Sequence, residues 1–174
     1  MPATVDVVLY EDPLSPWCAL AEARIAAAAD ALGVEVALRH APFPLAPGSV
    51  RVLAALAAAR EQGPAREAAL RRVLREATLE RGLETASAEV LVELAELAGL
   101  DRARFTEALG RPSTERAVLA TWRTARCRGI GAAPALVIGE AWLVSGTRSA
   151  DEYAEILQRW LARAPSLPPE RTLH

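Results

Sequence analysis

Val5-Asp6-Val7-Val8-Leu9-Tyr10 is a short β-branched and apolar run, filled on both faces, and it predicts a buried strand. Glu11-Asp12-Pro13-Leu14 interrupts it. Ser15 then stands as an N-cap with Pro16 at the first helical position, where a missing N–H costs nothing. Ile25, Ala28, Ala29 and Leu32 recur at i, i+3, i+4 and i+7, which predicts a helix to about Leu32, closed by Gly33. Val34 to Arg39 alternates apolar and polar residues and reads as a second strand. Together these make a βαβ unit with parallel strands and a right-handed crossover.

After the loop Ala41–Gly48, strand character is missing until residue 135. Helical segments are predicted near Val50–Arg60, Ala65–Arg81, Ser87–Ala98, Arg102–Leu109 and Ser113–Arg126, separated by glycine and proline. Leu70, Val73, Leu74 and Ala77 form one apolar stripe; Val90, Leu91, Leu94, Leu97 and Ala98 form another. Both read as core faces of a helical bundle. Strand character returns at Ala135–Ile138, and Gly139-Glu140 turns it into Ala141–Val144, a hairpin. The last helix opens on a capping box, Ser149 and Glu152, and offers Tyr153, Ile156, Leu157, Trp160 and Leu161 to the core.

The order β-α-β, helices, β-β-α predicts an α/β fold with one small mixed sheet and a helical insertion. The sheet domain would comprise residues 1–48 and 127–164, the insertion residues 49–126, and a flexible tail residues 165–174.

Composition narrows the function. Apolar residues at 52% supply a core, and Lys+Arg 20 against Asp+Glu 22 gives a net charge of −2, so no basic excess points to nucleic acid or an anionic membrane. No apolar run is long enough to span a bilayer, and no secretory signal pattern precedes Val5, so a cytoplasmic protein is expected. Two cysteines, Cys18 and Cys127, do not make a disulfide scaffold. With two histidines, His40 and His174, they have no metal-ligand spacing, so no metal is expected. A Ser–His hydrolase is not supported either, because no acid stands in triad order.

Four segments carry a resemblance. Asp12-Pro13-Leu14-Ser15-Pro16-Trp17-Cys18 resembles the D-x-x-C-P-W-C active-site segment of FrnE-type members of the DsbA superfamily. Arg39-His40-Ala41-Pro42-Phe43-Pro44-Leu45 resembles the R-P-F-x-L that follows their second strand. Gly129 to Ile138 resembles G-V-x-G-V-P-T-F-V-I, which holds the cis-proline, and Leu143 to Ser149 resembles x-V-S-G-A-Q-P before the last helix. The resemblance spans Val5 to about Ala162. It implies a thioredoxin-like fold, thiol-disulfide oxidoreductase-type activity and a cis peptide at Ala133-Pro134.

The departure from the family lies at the attacking thiol, which is Ser15 here. A serine hydroxyl stays protonated near neutrality, and no disulfide can join positions 15 and 18, so ordinary dithiol exchange at this motif is excluded. On the resemblance, Ser15 and Cys18 are the catalytic candidates, as a modified S-P-W-C monothiol site. Pro16, Trp17, Ala133 and Pro134 are the candidates for binding a substrate thiol.

Cys18, in the first helical turn, is either an activated thiol or a small buried hydrophobe. Cys127 is expected to pack, although a Cys18–Cys127 disulfide is conceivable. Ser15 is either only a helix cap or a hydroxyl that steadies a thiolate. The latter is the arrangement of kappa-class glutathione transferases and 2-hydroxychromene-2-carboxylate isomerases, relatives within the superfamily that carry serine here. Three readings follow: thiol chemistry at the modified site, a glutathione-dependent isomerase or transferase, and a degenerate domain that binds a thiol or peptide without turnover. No tightly bound cofactor is expected; glutathione or another low-molecular-weight thiol would be the small partner. A thiol-containing protein or peptide would be the large one. A homodimer fits kappa-type relatives, but no residue requires it.

Overall fold

The computed structural model describes residues 3–163, so the expected tail at residues 165–174 lies outside the described residues. Strand β1 (Thr4–Glu11) leads into helix α1 (Pro16–Leu32) and strand β2 (Glu35–Pro42). Five helices follow: α2 (Pro47–Arg60), α3 (Pro64–Arg75), α4 (Ala88–Leu97), α5 (Arg102–Gly110) and α6 (Pro112–Cys127). Strands β3 (Ala135–Ile138) and β4 (Trp142–Ser145) and helix α7 (Ala150–Arg163) close the described chain.

The sheet order is β2-β1-β3-β4. β1 runs parallel to β2, with Leu9 opposite His40, and antiparallel to β3, with Leu9 opposite Leu136. Along β1 the inward phase is Val5, Val7, Leu9 and Glu11, each 0% exposed. The first three pack with Ile25 and Ala28 of α1 and with Tyr153 and Leu157 of α7. The alternate residues Val8 and Tyr10 are only half-buried, so β1 alternates instead of being filled on both faces. A second core, around Leu56, Leu70, Leu74, Leu91 and Phe105, holds the helices of the insertion together.

Several positions differ from the sequence pattern: β2 runs on to Pro42 and α2 begins at Pro47, so the expected loop Ala41–Gly48 shortens to Phe43–Ala46. The helix expected to reach Arg81 leaves α-geometry at Arg75 and continues as a π-helical turn, Glu76–Glu80. In the hairpin, Gly139 and Glu140 take φ of 54° and 64°, and Ala141 joins the turn, so β4 begins one residue later than expected. Leu97, expected in the core, is 75% exposed, because Leu94 and Ala98 already fill the inward positions.

The expected capping box forms at α7, where Glu152 N–H donates to Ser149 Oγ (3.2 Å) and Ser149 N–H donates to Glu152 Oε2 (2.8 Å). Gly139 is confined for a second reason: a Cβ there would meet the Trp160 ring at 2.5 Å. Gly139→Ala is therefore expected to lower stability by about 1–3 kcal/mol, read as a drop in the urea midpoint at unchanged slope.

Candidate functional site around Ser15 and the buried carboxylate beneath it

The turn that starts α1 is built by Asp12. Its Oδ1 accepts the Leu14 N–H at 3.0 Å, and its Oδ2 accepts the Leu45 N–H at 2.9 Å, which ties the turn to the loop after β2. Ser15 N–H donates to the Asp12 carbonyl at 3.0 Å. Ser15 takes the extended backbone of an N-cap, φ −91° and ψ 120°, and Pro16 follows at the helix start. Its hydroxyl, however, makes no capping hydrogen bond, so the expectation of Ser15 as a side-chain cap is corrected. Pro16 brings no N–H, and the Cys18 N–H turns back to the Ser15 carbonyl (3.1 Å). The hydroxyl is thus left at the positive end of α1 without a backbone duty.

Cys18 is 0% exposed. Burial pushes its thiol pKa up; the Asp12 N–H, 3.5 Å from Sγ, and the Ser15 hydroxyl pull the other way, and the carboxylates of Glu11 and Asp12 push it further up. Cys127 is exposed, not packed as expected, and both cysteines are free. In the native protein one thiol is therefore expected to react quickly with iodoacetamide and the second only after denaturation, a count that mass spectrometry reads directly.

Trp17 is 63% exposed at the helix start. Thr147 Oγ1 donates to the Trp17 carbonyl (3.0 Å), and the neighbouring Gly146 N–H donates to the Pro134 carbonyl (2.8 Å). These two bonds bring the 133–134 loop, the segment before α7 and the start of α1 into one assembly. The Ala133–Pro134 peptide is cis. Pro134 is buried and Ala133 half-buried.

Beneath this surface lies a charge cluster that the sequence reading did not anticipate. The Glu11 carboxylate accepts hydrogen bonds from Arg71 Nη1 and from Arg75 Nη2 (2.6 Å), and His40 Nδ1 lies 2.9 Å from its Oε1. Arg75 also pairs with Glu22 of α1 (2.6 Å), and Arg71 with Glu67 (2.6 Å). Burial alone would raise the Glu11 pKa, but the His40 bond and the two guanidinium groups hold it at about 2. Burial would likewise depress Arg75, yet Glu11 and Glu22 drive its pKa upward.

Glu11, Glu22 and His40 each bring a ligand atom within 4.8 Å of the others. Arg71 and Arg75 already place positive charge on those carboxylates, so this donor set is poorly suited to a metal ion. A cleft of about 60 Å³ opens beside Glu11 and His40 against Leu53, Leu56 and Val118; neither Ser15 nor Pro134 lines it.

A signal for Glu11 did exist. It continues the two-residue phase of Val5, Val7 and Leu9, which places a carboxylate on the buried face and demands a cation. Arg71 and Arg75, four apart, meet it from α3.

A family model described as a DSBA-like thioredoxin domain matches residues 6–158. No curated protein matches the chain. Among solved structures, the probable DsbA oxidoreductase of Streptomyces coelicolor is similar at 23% identity and a TM-score of 0.81, covering 94% of this chain and 93% of that one. A thioredoxin-like oxidoreductase from Silicibacter pomeroyi is similar at 25% identity and 0.72, covering 92% and 88%. Oxidoreductase DsbA from Xylella fastidiosa gives 19% identity and 0.72, covering 92% and 86%.

Proposed function

The chain belongs to the DSBA-like thioredoxin domain family, and from that premise we propose that it binds a thiol brought by its substrate and steadies it as a thiolate at Ser15. The observation that carries this reading is the state of Ser15 and Cys18 together. Ser15 replaces the family's attacking thiol and keeps a hydroxyl free of capping, while Cys18 is fully buried with its thiol pKa raised. Cys18 is accordingly a poor monothiol nucleophile, since the thiolate is the reactive species and an attacking atom must be reached.

Several local features favour an anion, against the opposing carboxylates of Glu11 and Asp12. The Ser15 hydroxyl, 9% exposed and lying beside the Cys18 thiol, would turn to donate one charge-assisted hydrogen bond, and the start of α1 contributes its dipole. Trp17 offers an exposed apolar face beside them, and the half-buried Ala133 before the cis-proline would offer its backbone groups to an extended molecule. This supports the glutathione-dependent isomerase or transferase reading over monothiol exchange at Cys18. Binding would lower the substrate thiol's pKa and hand a ready nucleophile to a second reactant.

The test uses glutathione as the probe. Ultraviolet titration of its thiolate in the presence of the protein is expected to show a lowered apparent pKa. Ser15→Ala should raise that value by about one to two units, the equivalent of one hydrogen bond to a charged group. An unchanged titration in the parent protein, or an identical one in Ser15→Ala, overturns the reading.

A further inference from the structure

α6 carries an arginine stripe that no ion pair among the described residues uses. Arg116, Ala120, Arg123 and Cys127 are spaced i, i+4, i+7 and i+11, and all four are exposed. They form one helical face whose intervening position is small. Arg126 and Arg128, also exposed, flank its last turn. No acidic residue occurs between Glu115 and Glu140. Among the described residues none of these four arginines forms an ion pair; Arg126 Nη1 donates only to the Gly131 carbonyl (3.2 Å).

Helix stability accounts for part of this pattern. Cations at a C-terminus suit the helix dipole, which covers Arg126 and Arg128. It does not cover Arg116, which lies near the N-terminal end of α6, or Arg123 in its middle. The stripe is also an island of positive charge on a chain whose net charge is −2.

The geometry points to a docking face for an acidic segment of a protein partner. Arg116 and Arg126 lie ten helical steps apart, roughly 15 Å at ~1.5 Å per residue. An extended peptide of about five residues, at ~3.3 Å each, matches that length, whereas a small thiol spans only part of it. A nucleic acid fits less well, because the overall negative charge repels a long polyanion while a few carboxylates respond to the local field. The stripe runs toward the loop that bears Pro134. The last turns of α6 share a packing cluster with Ala133 and Phe43 through Trp122 and Ala125. This inference goes beyond the reading of Ser15 and stands whether or not a thiol binds there.

Fluorescein-labelled hexaglutamate, followed by anisotropy with the full chain at low salt, tests it. Saturable binding is expected, weakened at least ~tenfold when salt rises from about 20 to 200 mM. Arg116→Glu, Arg123→Glu and Arg128→Glu combined should abolish it, while Arg39→Glu, Arg81→Glu and Arg104→Glu, with the same net charge, should retain it. Bound peptide should also slow alkylation of the exposed Cys127. Should the first triple variant fail to fold, Arg123→Ala, at a position without side-chain bonds among the described residues, carries the prediction as a roughly threefold loss. Absence of saturable binding, equal loss in both triple variants, or tighter binding of hexathymidylate than of the peptide overturns it.

Discussion

Ser15→Cys is expected to convert a protein with almost no disulfide-exchange activity into a dithiol catalyst. The introduced thiol would sit at the start of α1, where the dipole favours thiolate, and Cys18 lies three residues on as a resolving group. The introduced thiolate attacks a substrate disulfide, forming a mixed disulfide and releasing one substrate thiol. Cys18 then attacks the mixed disulfide, leaving a 15–18 disulfide and the second substrate thiol. Insulin reduction with a regenerating thiol should rise by about 100-fold or more over the parent. Adding Cys18→Ala should halt turnover and trap a mixed disulfide visible by mass spectrometry. Without any gain, the surroundings of position 15 would have to be remodelled beyond the loss of one sulfur, and the family's thiol geometry would not survive here.

The second large effect lies in the charge cluster. Glu11→Gln removes the buried carboxylate that Arg71 and Arg75 share, leaving each with one further partner, Glu67 or Glu22, and should cost about 3 kcal/mol. That is a large share of the roughly 5–15 kcal/mol typical of a folded domain.

The pH dependence has a definite sign. The Glu11 pKa falls from 4.5 to about 2 on folding, so its contribution is complete above about 4.5 and is lost as pH drops through 2. The shift corresponds to ~3 kcal/mol. Urea midpoints measured from pH 5 down to pH 2 should decline steeply in the parent and much less in Glu11→Gln; parallel declines would contradict the assignment.

Much of this architecture was legible in residue order. The glycine at position 33 and the Ser149–Glu152 box each have one local solution, and the structure adopts it. Four short segments in the right order pointed to the family because each marks a place where backbone geometry is demanding. What remained hidden depends on three-dimensional neighbours. Glu11 reads as a strand breaker until Arg71 and Arg75, some sixty residues on, are seen to cover it. Cys127 looks like any small apolar residue near a helix end; its exposure follows from how α6 is rotated, with Ala125 and Val118 taking the inward side. The Thr147–Trp17 bond joins residues with no relation in sequence.

The sheet order also governs how the chain acquires its shape as it is made. β1 finds β2 after about thirty residues, but its other neighbour, β3, ends only at residue 138. At about 5–20 residues per second, some 5–20 s of synthesis separates the two pairings. Closing a loop of that length costs on the order of 4 kcal/mol of chain entropy before any strand contact forms. The N-terminal βαβ unit must therefore wait on the ribosome with one strand edge open, and the insertion, whose contacts are mostly local, can collapse first and supply the Arg71–Arg75 clasp that shields Glu11. Nascent-chain length, rather than the folding of any one helix, sets when β1 becomes an interior strand, with β2 and β4 left as the edges of the finished sheet.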